Sequence, residues 1–285
     1  MKLFMLWDME GVSGIHSREQ AWFWEDGVRP EVAKEGQQLL IDDINSASEA
    51  ALRAGVDELI VCDTHTGGGN IVPERMLDDP RITYLEKSRG YQDGKFRWMP
   101  GLDQTVDGFL VPGHHAMAGT KGAFLPHTCN LDWAEVRING QAVGEMGIEA
   151  CFAGHWDVPV IFAQGDDAGC REAEAMFPGI VTAPIKRAVE ADTCTGLEPA
   201  AARGLTAAKM AEAVEALRAD HCRPFQPNLP MTVTITMTTA QKAESTAEKP
   251  NVSRVDEHAV ECRVERYCDV VNWIVPAGLD MPEEP

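Results

Sequence analysis

The stretch Leu3-Phe4-Met5-Leu6-Trp7-Asp8-Met9-Glu10-Gly11 decides how the chain is read. Five apolar residues in a row, too few for a helix and ended by acids and a glycine, predict a strand buried on both faces. Such strands lie in the interior of parallel sheets. Two carboxylates follow at i and i+2, which extended backbone would point to one face. Gly11 then allows the chain to turn sharply away. The same pattern recurs along the sequence. Residues 58–62 form a second apolar run, ended by Asp63 and His65 and the flexible Thr66-Gly67-Gly68-Gly69. Residues 108–111 form a third, ended by Pro112-Gly113-His114-His115, and residues 158–163 a fourth, ended by Gly165-Asp166-Asp167. Helical patterns fall between the runs. Val32, Leu39, Leu40, Ile44, Ala47 and Ala51 recur at near-helical spacing over residues 30–54, with Gly55 in the C-cap position, and a second helix is predicted over 145–153. Strand–helix alternation of this kind predicts an α/β fold with an open, mostly parallel sheet flanked by helices.

The remainder has a different texture. Asn139-Gly140, between residues 136–138 and 141–143, is the dipeptide best suited to a type I′ hairpin turn. An alanine-rich helix is predicted over 199–219, followed by a proline-bearing linker at 223–230. The strictly alternating run at 231–237 predicts a strand with one buried face and one face of threonines. Residues 240–257 read as a loop, residues 259–274 as a final strand and helix, and 280–285 as a frayed tail. These features predict an α/β domain over residues 1–190 and a smaller C-terminal α+β domain over 191–285.

Bulk properties exclude several classes of function. The 285 residues are 44% hydrophobic and carry a net charge of −20, which disfavours a nucleic-acid or anionic-membrane surface. No apolar run approaches the roughly 20 residues of a membrane span, and the first one is too short and too soon interrupted by acids to be a signal peptide. The eight cysteines include no C-x-x-C pair, so reduced thiols and a cytoplasmic location are expected.

Chemistry collects where the strands end. In open α/β sheets, ligands bind beyond the carboxyl ends of the strands, and four successive strands here deliver carboxylates or imidazoles to that edge. Each piece alone has an ordinary explanation: a solvated loop end, a hydrogen-bonded histidine, a chance His-His pair. Together they would crowd carboxylates that repel one another, and a divalent cation relieves that repulsion. Several carboxylates with histidines suit a dinuclear site. Glu145 opens a helix, where a carboxylate gains from the positive helix end whatever else it does. His127, in the loop Phe124-Leu125-Pro126-His127-Thr128, is either a general acid or base near neutral pH or an idle surface residue. Asp63, Asp166 and Asp167 are candidates for orienting the histidines or for turn roles.

Five blocks in register give a resemblance. Asp8-Met9-Glu10-Gly11, Asp63-Thr64-His65, Gly113-His114-His115-Ala116, Pro126-His127-Thr128 and Gly144-Glu145-Met146-Gly147 occur in the order and approximate spacing of the zinc D-aminopeptidases of the dipeptide-transport type. The resemblance covers most of the chain and is strongest up to about residue 190. It implies a binuclear zinc site with ligands Asp8, Glu10, His65, His115 and Glu145, and a catalytic histidine, nucleophile or base, at His127. It also implies release of N-terminal D-residues from short peptides, and homo-oligomers that are decamers of two pentameric rings around a chamber. One departure is plain: the opening motif S-x-D-x-E-G has Leu6 at its serine position, which bears on D- versus L-preference more than on hydrolysis.

Two other classes share these residues. A dinuclear site also serves amino-acid amide or phosphoester hydrolysis, although no G-x-x-x-x-G-K-[ST] loop or basic cluster accompanies the blocks. A non-catalytic peptide-binding module of a transport system would have no need of His127 beside metal ligands. A dinucleotide site is disfavoured, since Gly67-Gly68-Gly69 is not G-x-G-x-x-G. The ligand types tolerate zinc, manganese or cobalt.

Overall fold

In the computed structural model, residues 1–86 and 98–274 are described; the tail expected at 280–285 lies outside them. The larger sheet contains β1 (Lys2–Trp7), β2 (Glu58–Asp63), β3 (Ile82–Glu86), β4 (Gly108–His114), β7 (Val160–Asp166), β8 (Val181–Glu190) and β9 (Thr193–Gly196), in the order β3-β2-β1-β4-β7-β8-β9. Every neighbouring pair is parallel except β8 with β9. The open, mostly parallel sheet predicted from the apolar runs is the sheet observed.

Strand alternation splits the core in two. Leu3, Met5 and Trp7 of β1 face one apolar cluster, together with Ala21 of the short α1 (Arg18–Ala21), Leu40, Ile44 and Ala47 of α2 (Pro30–Arg53) and Met210, Ala213 and Val214 of α5 (Pro199–Arg218). Phe4 and Leu6 face the other, with Ile148 of α3 (Glu145–His155) and Ala173 of α4 (Asp167–Met176). Leu6, at the motif's serine position, is thus a fully buried core residue. Gly55 ends α2 at φ 88°, as its C-cap reading requires.

The second sheet runs β11-β12-β10-β5-β6, from β5 (Trp133–Ile138), β6 (Gln141–Val143), β10 (Met231–Met237), β11 (Val252–Arg254) and β12 (Ala259–Val264). Asn139 and Gly140 both take positive φ in the predicted hairpin. The inner residues Val233 and Ile235 of β10 close over the second cluster. The expected division at residue 190 is not where the sheets divide the chain. The β5–β6 hairpin pairs with β10, so the smaller sheet draws on both sides of 190, while β9 and α5 belong with the larger sheet. Pairing between strands distant in sequence joins what composition separates. Residues 240–257, expected as a loop, contain α6 (Ala240–Ala247), capped by Thr239, and β11. The expected final helix is a single 3-10 turn, Tyr267–Asp269, within the described residues.

Topology also places the chemistry. From β1 the chain moves to β2 and β3 on one side, then returns to β4 on the other. The reversal falls between β1 and β4, the point where open α/β sheets form their ligand crevice.

Candidate metal centre

Asp8 leaves β1, His65 follows β2 and His115 follows β4, so three adjacent strands deliver three side chains to the switch point. The ends of β1 and β4 approach closely through glycines. Gly11 N donates to Gly113 O at 2.6 Å, and a Cβ on Gly113 would lie 2.1 Å from Asp8 O, at φ 77°. Gly11 has no positive φ; its lack of a Cβ clears Gly113 and His114 rather than permitting a turn.

Asp8 is central. Its Oδ1 lies 2.6 Å from His65 Nδ1 and its Oδ2 lies 3.4 Å from His115 Nε2. Glu10 Oε2 lies 3.4 Å from His65 Nδ1, and Glu145 Oε2 lies 3.6 Å from His115 Nε2. Donor atoms of Asp8, Glu10 and His65 fall within 4.8 Å of one another, as do those of His115, His127 and Glu145. The six residues are therefore brought together as two groups of three, and Asp8 links them by facing His65 with one oxygen and His115 with the other. Glu145 is more than a helix-end charge: its Oε2 also accepts from Cys129 N at 2.8 Å, tying α3 to the loop that carries His127.

Backbone carbonyls set the imidazole tautomers. His65 Nε2–H donates to Ala21 O (2.9 Å), so Nδ1 is the ring nitrogen that faces the carboxylates. His115 Nδ1–H donates to Ala116 O (3.1 Å), leaving Nε2 for the site. His127 Nδ1–H donates to Leu125 O (2.9 Å), and its ring stacks on His115 at 3.9 Å and 14°. A ligating histidine is held in this way, through its other nitrogen.

Electrostatics reflect the crowding. Burial would push the Asp8 carboxyl up, but the His115 and His65 imidazoles overcome this and hold it well below the usual carboxylate range. The same contest, dominated on the other side by His115, holds Glu145 down at about 2. His65 and His115 are raised well above the ordinary value against their own burial, by Glu10 and Asp8 for the former and by Asp8 and Glu145 for the latter. His127 is lowered, first by burial and then by the nearby His115.

The donor set fits a metal on a direct observation. Glu10 Oε2 and His115 Nε2 are buried and make no hydrogen bond. Orphaned buried acceptors are costly, and both are aimed into the cluster, where a cation would satisfy them.

The other candidates have different tasks. Asp63 accepts from His65 N and Asn70 N, at 3.2 and 2.8 Å, and so shapes the loop rather than the imidazole. Asp166 caps α4 through Gly169 N and accepts from Phe124 N, anchoring the His127 loop. Asp167 pairs with Arg171 one turn along α4. His114 turns away to Glu149, at 2.7 Å, in the core. Two participants escaped the sequence reading. Trp22 Nε1–H donates to Glu10 Oε1 at 2.6 Å. The buried ammonium of Lys186 donates to the carbonyls of Glu10 (2.9 Å), Val12 and Ile15 (2.7 Å), holding the turn after β1. A tryptophan in a loop and a lysine within a strand carry no motif that would have found them.

A parallel sheet with clustered carboxylates and imidazoles at its switch point fits the class of metal-dependent hydrolases. Comparison with known proteins narrows the class. Residues 1–275 match the D-aminopeptidase peptidase family model. A D-aminopeptidase of Bacillus subtilis (strain 168) is 31% identical over 227 residues, covering 80% of this chain and 78% of that protein. The solved structure of the Zn-dependent D-aminopeptidase DppA from Bacillus subtilis, a self-compartmentalizing protease, superposes with a TM-score of 0.84 at 28% identity, covering 94% of this chain and 93% of that one. The chain belongs to the D-aminopeptidase family and is a metal-dependent aminopeptidase, a hydrolase of peptide bonds. Among the described residues, no helix is long and apolar enough to cross a membrane.

Proposed function

We propose that this aminopeptidase holds two zinc ions among Asp8, Glu10, His65, His115 and Glu145, and that His127 moves the proton as N-terminal D-residues are released from short peptides. The observation that carries this reading is the position of Asp8, one oxygen toward His65 and the other toward His115. A carboxylate so placed would serve both groups of donors. Imidazole and carboxylate donors suit zinc, as does the Zn-dependent structural relative, and manganese or cobalt would also be tolerated. Held by these residues, zinc would supply Lewis acidity to the scissile carbonyl and an ionised water at neutral pH.

The chain's own residues do the rest. His127 Nδ1–H is held by Leu125 O, which leaves Nε2 for the site, and burial lowers its pKa in favour of the neutral ring. A neutral imidazole stacked beside the ligands takes a proton from the attacking water and returns it to the leaving amine. Replacing His127 by Ala should lower kcat by about 10²- to 10⁴-fold while leaving zinc content unchanged; full activity in that variant removes His127 from the mechanism. A panel of D- and L-dipeptides, amino-acid amides and a generic phosphoester tests the substrate class, with D-dipeptides expected to be cleaved fastest.

The self-compartmentalizing relative supports a homo-oligomer here, the decamer of two pentameric rings implied by the sequence blocks. Eight cysteines without a C-x-x-C pair suit a reducing compartment, the cytoplasm.

A further inference from the structure

We infer that Trp22 is the positioning residue for Glu10, fixing which carboxylate oxygen faces the metal; this rests on Glu10 being a ligand. Glu10 has two chemically equal oxygens, and a free carboxylate would present either. The indole N–H removes that freedom. It donates to Oε1 at 2.6 Å, and Oε2 is left buried, without a hydrogen bond, 3.4 Å from His65 Nδ1. A hydrogen bond to an ionised acceptor is among the stronger kinds, and indole nitrogen donates without accepting, so it does not compete for the ion.

The indole is itself held. The Arg18 guanidinium lies 4.2 Å over its ring and is fixed by Glu25 through two hydrogen bonds of 2.8 and 2.5 Å. Arg18 N donates to Asp192 O, next to the β8–β9 hairpin. The same ring meets His127 edge-on, with centroids 5.2 Å apart at 80°. Ala21, immediately before it, supplies the carbonyl that sets the His65 tautomer. A turn outside the five sequence blocks therefore orients one ligand in each of two ways and backs the proton carrier.

The test is zinc affinity of the full-length enzyme, measured by chelator competition, beside the unfolding midpoint of the metal-stripped protein. Trp22→Phe keeps an aromatic side chain and deletes the donor. It should weaken zinc binding about 10- to 100-fold, beyond what any fall in the metal-free midpoint accounts for. In a Glu10→Ala background the same change should cost nothing further, because its target is gone. Wild-type zinc affinity in Trp22→Phe, or an equal loss with and without Glu10, would overturn the inference. If Glu10→Ala alone leaves zinc affinity intact, the fault lies instead with the ligand reading. Should Trp22→Phe fail to fold, Arg18→Ala, which loosens the indole from the surface, should weaken zinc binding in the same direction by a smaller factor, and unchanged affinity there overturns the inference too.

Discussion

Gly113 is the residue on which the geometry of the centre is most sharply dependent. Any side chain there would meet Asp8 O at 2.1 Å while forced into positive φ, so strain and overlap act together. Gly113→Ala should cost on the order of 3 kcal/mol or more, read by urea unfolding, and should weaken zinc retention because it pushes Asp8 away from His115. Glu172 tests burial at the same scale. Burial lifts its carboxyl to about 7, while its Oε2 accepts from Met117 N at 2.7 Å. An acid with a raised folded pKa destabilises the fold as pH rises through the interval between its unfolded value and about 7, because the unfolded chain ionises first. Glu172→Gln should therefore be close to neutral near pH 5 and stabilising at pH 8 by on the order of 2 kcal/mol. Equal midpoints for the two proteins at pH 8 would contradict this. Asp8, Glu10, His65 and His115 stood out in the sequence because strand ends at one sheet edge leave few destinations for acids and histidines, whereas Glu145 at a helix start and His127 in a loop entered only through the family resemblance. What orients them was not legible. Ala21, Ala116 and Leu125 act through carbonyls, which every residue possesses, and only the folded backbone says which three are used.

At the scale of elements, the strands that read cleanly were those buried on both faces or strictly alternating. β8 went unread because Pro184, Lys186 and Arg187 interrupt its apolar run, and a lysine in such a run suggests exposure. Lys186 is buried and satisfied by three carbonyls of the turn after β1, with its pKa lowered to about 8, chiefly by burial. It joins β8 to the segment bearing Glu10. Lys186→Met would strand three buried acceptors, and a loss of about 2 to 4 kcal/mol is expected in thermal or denaturant unfolding, together with weaker zinc binding. A variant as stable as wild type would show that the turn holds without it. The same limit explains the smaller sheet. The hairpin at Asn139-Gly140 and the alternating β10 were each visible, yet nothing local in either sequence says that they pair with each other.

For the molecule as a whole, function follows from topology. Reversal of strand order between β1 and β4 opens a crevice, and Asp8, His65 and His115, just past the ends of β1, β2 and β4, converge there because those strands are neighbours. Metal should therefore hold the crevice together: chelator treatment should abolish hydrolysis, zinc should restore it, and the unfolding midpoint should rise with added zinc. A midpoint indifferent to zinc would separate the ion from the fold. The most direct measurement is elemental analysis of the purified enzyme alongside its Asp8→Ala and Glu145→Ala variants. A shared Asp8 predicts two zinc ions per chain in the wild type, loss of both in Asp8→Ala and of one in Glu145→Ala. Full D-dipeptide hydrolysis by a chain carrying less than one metal ion would contradict the account at its centre.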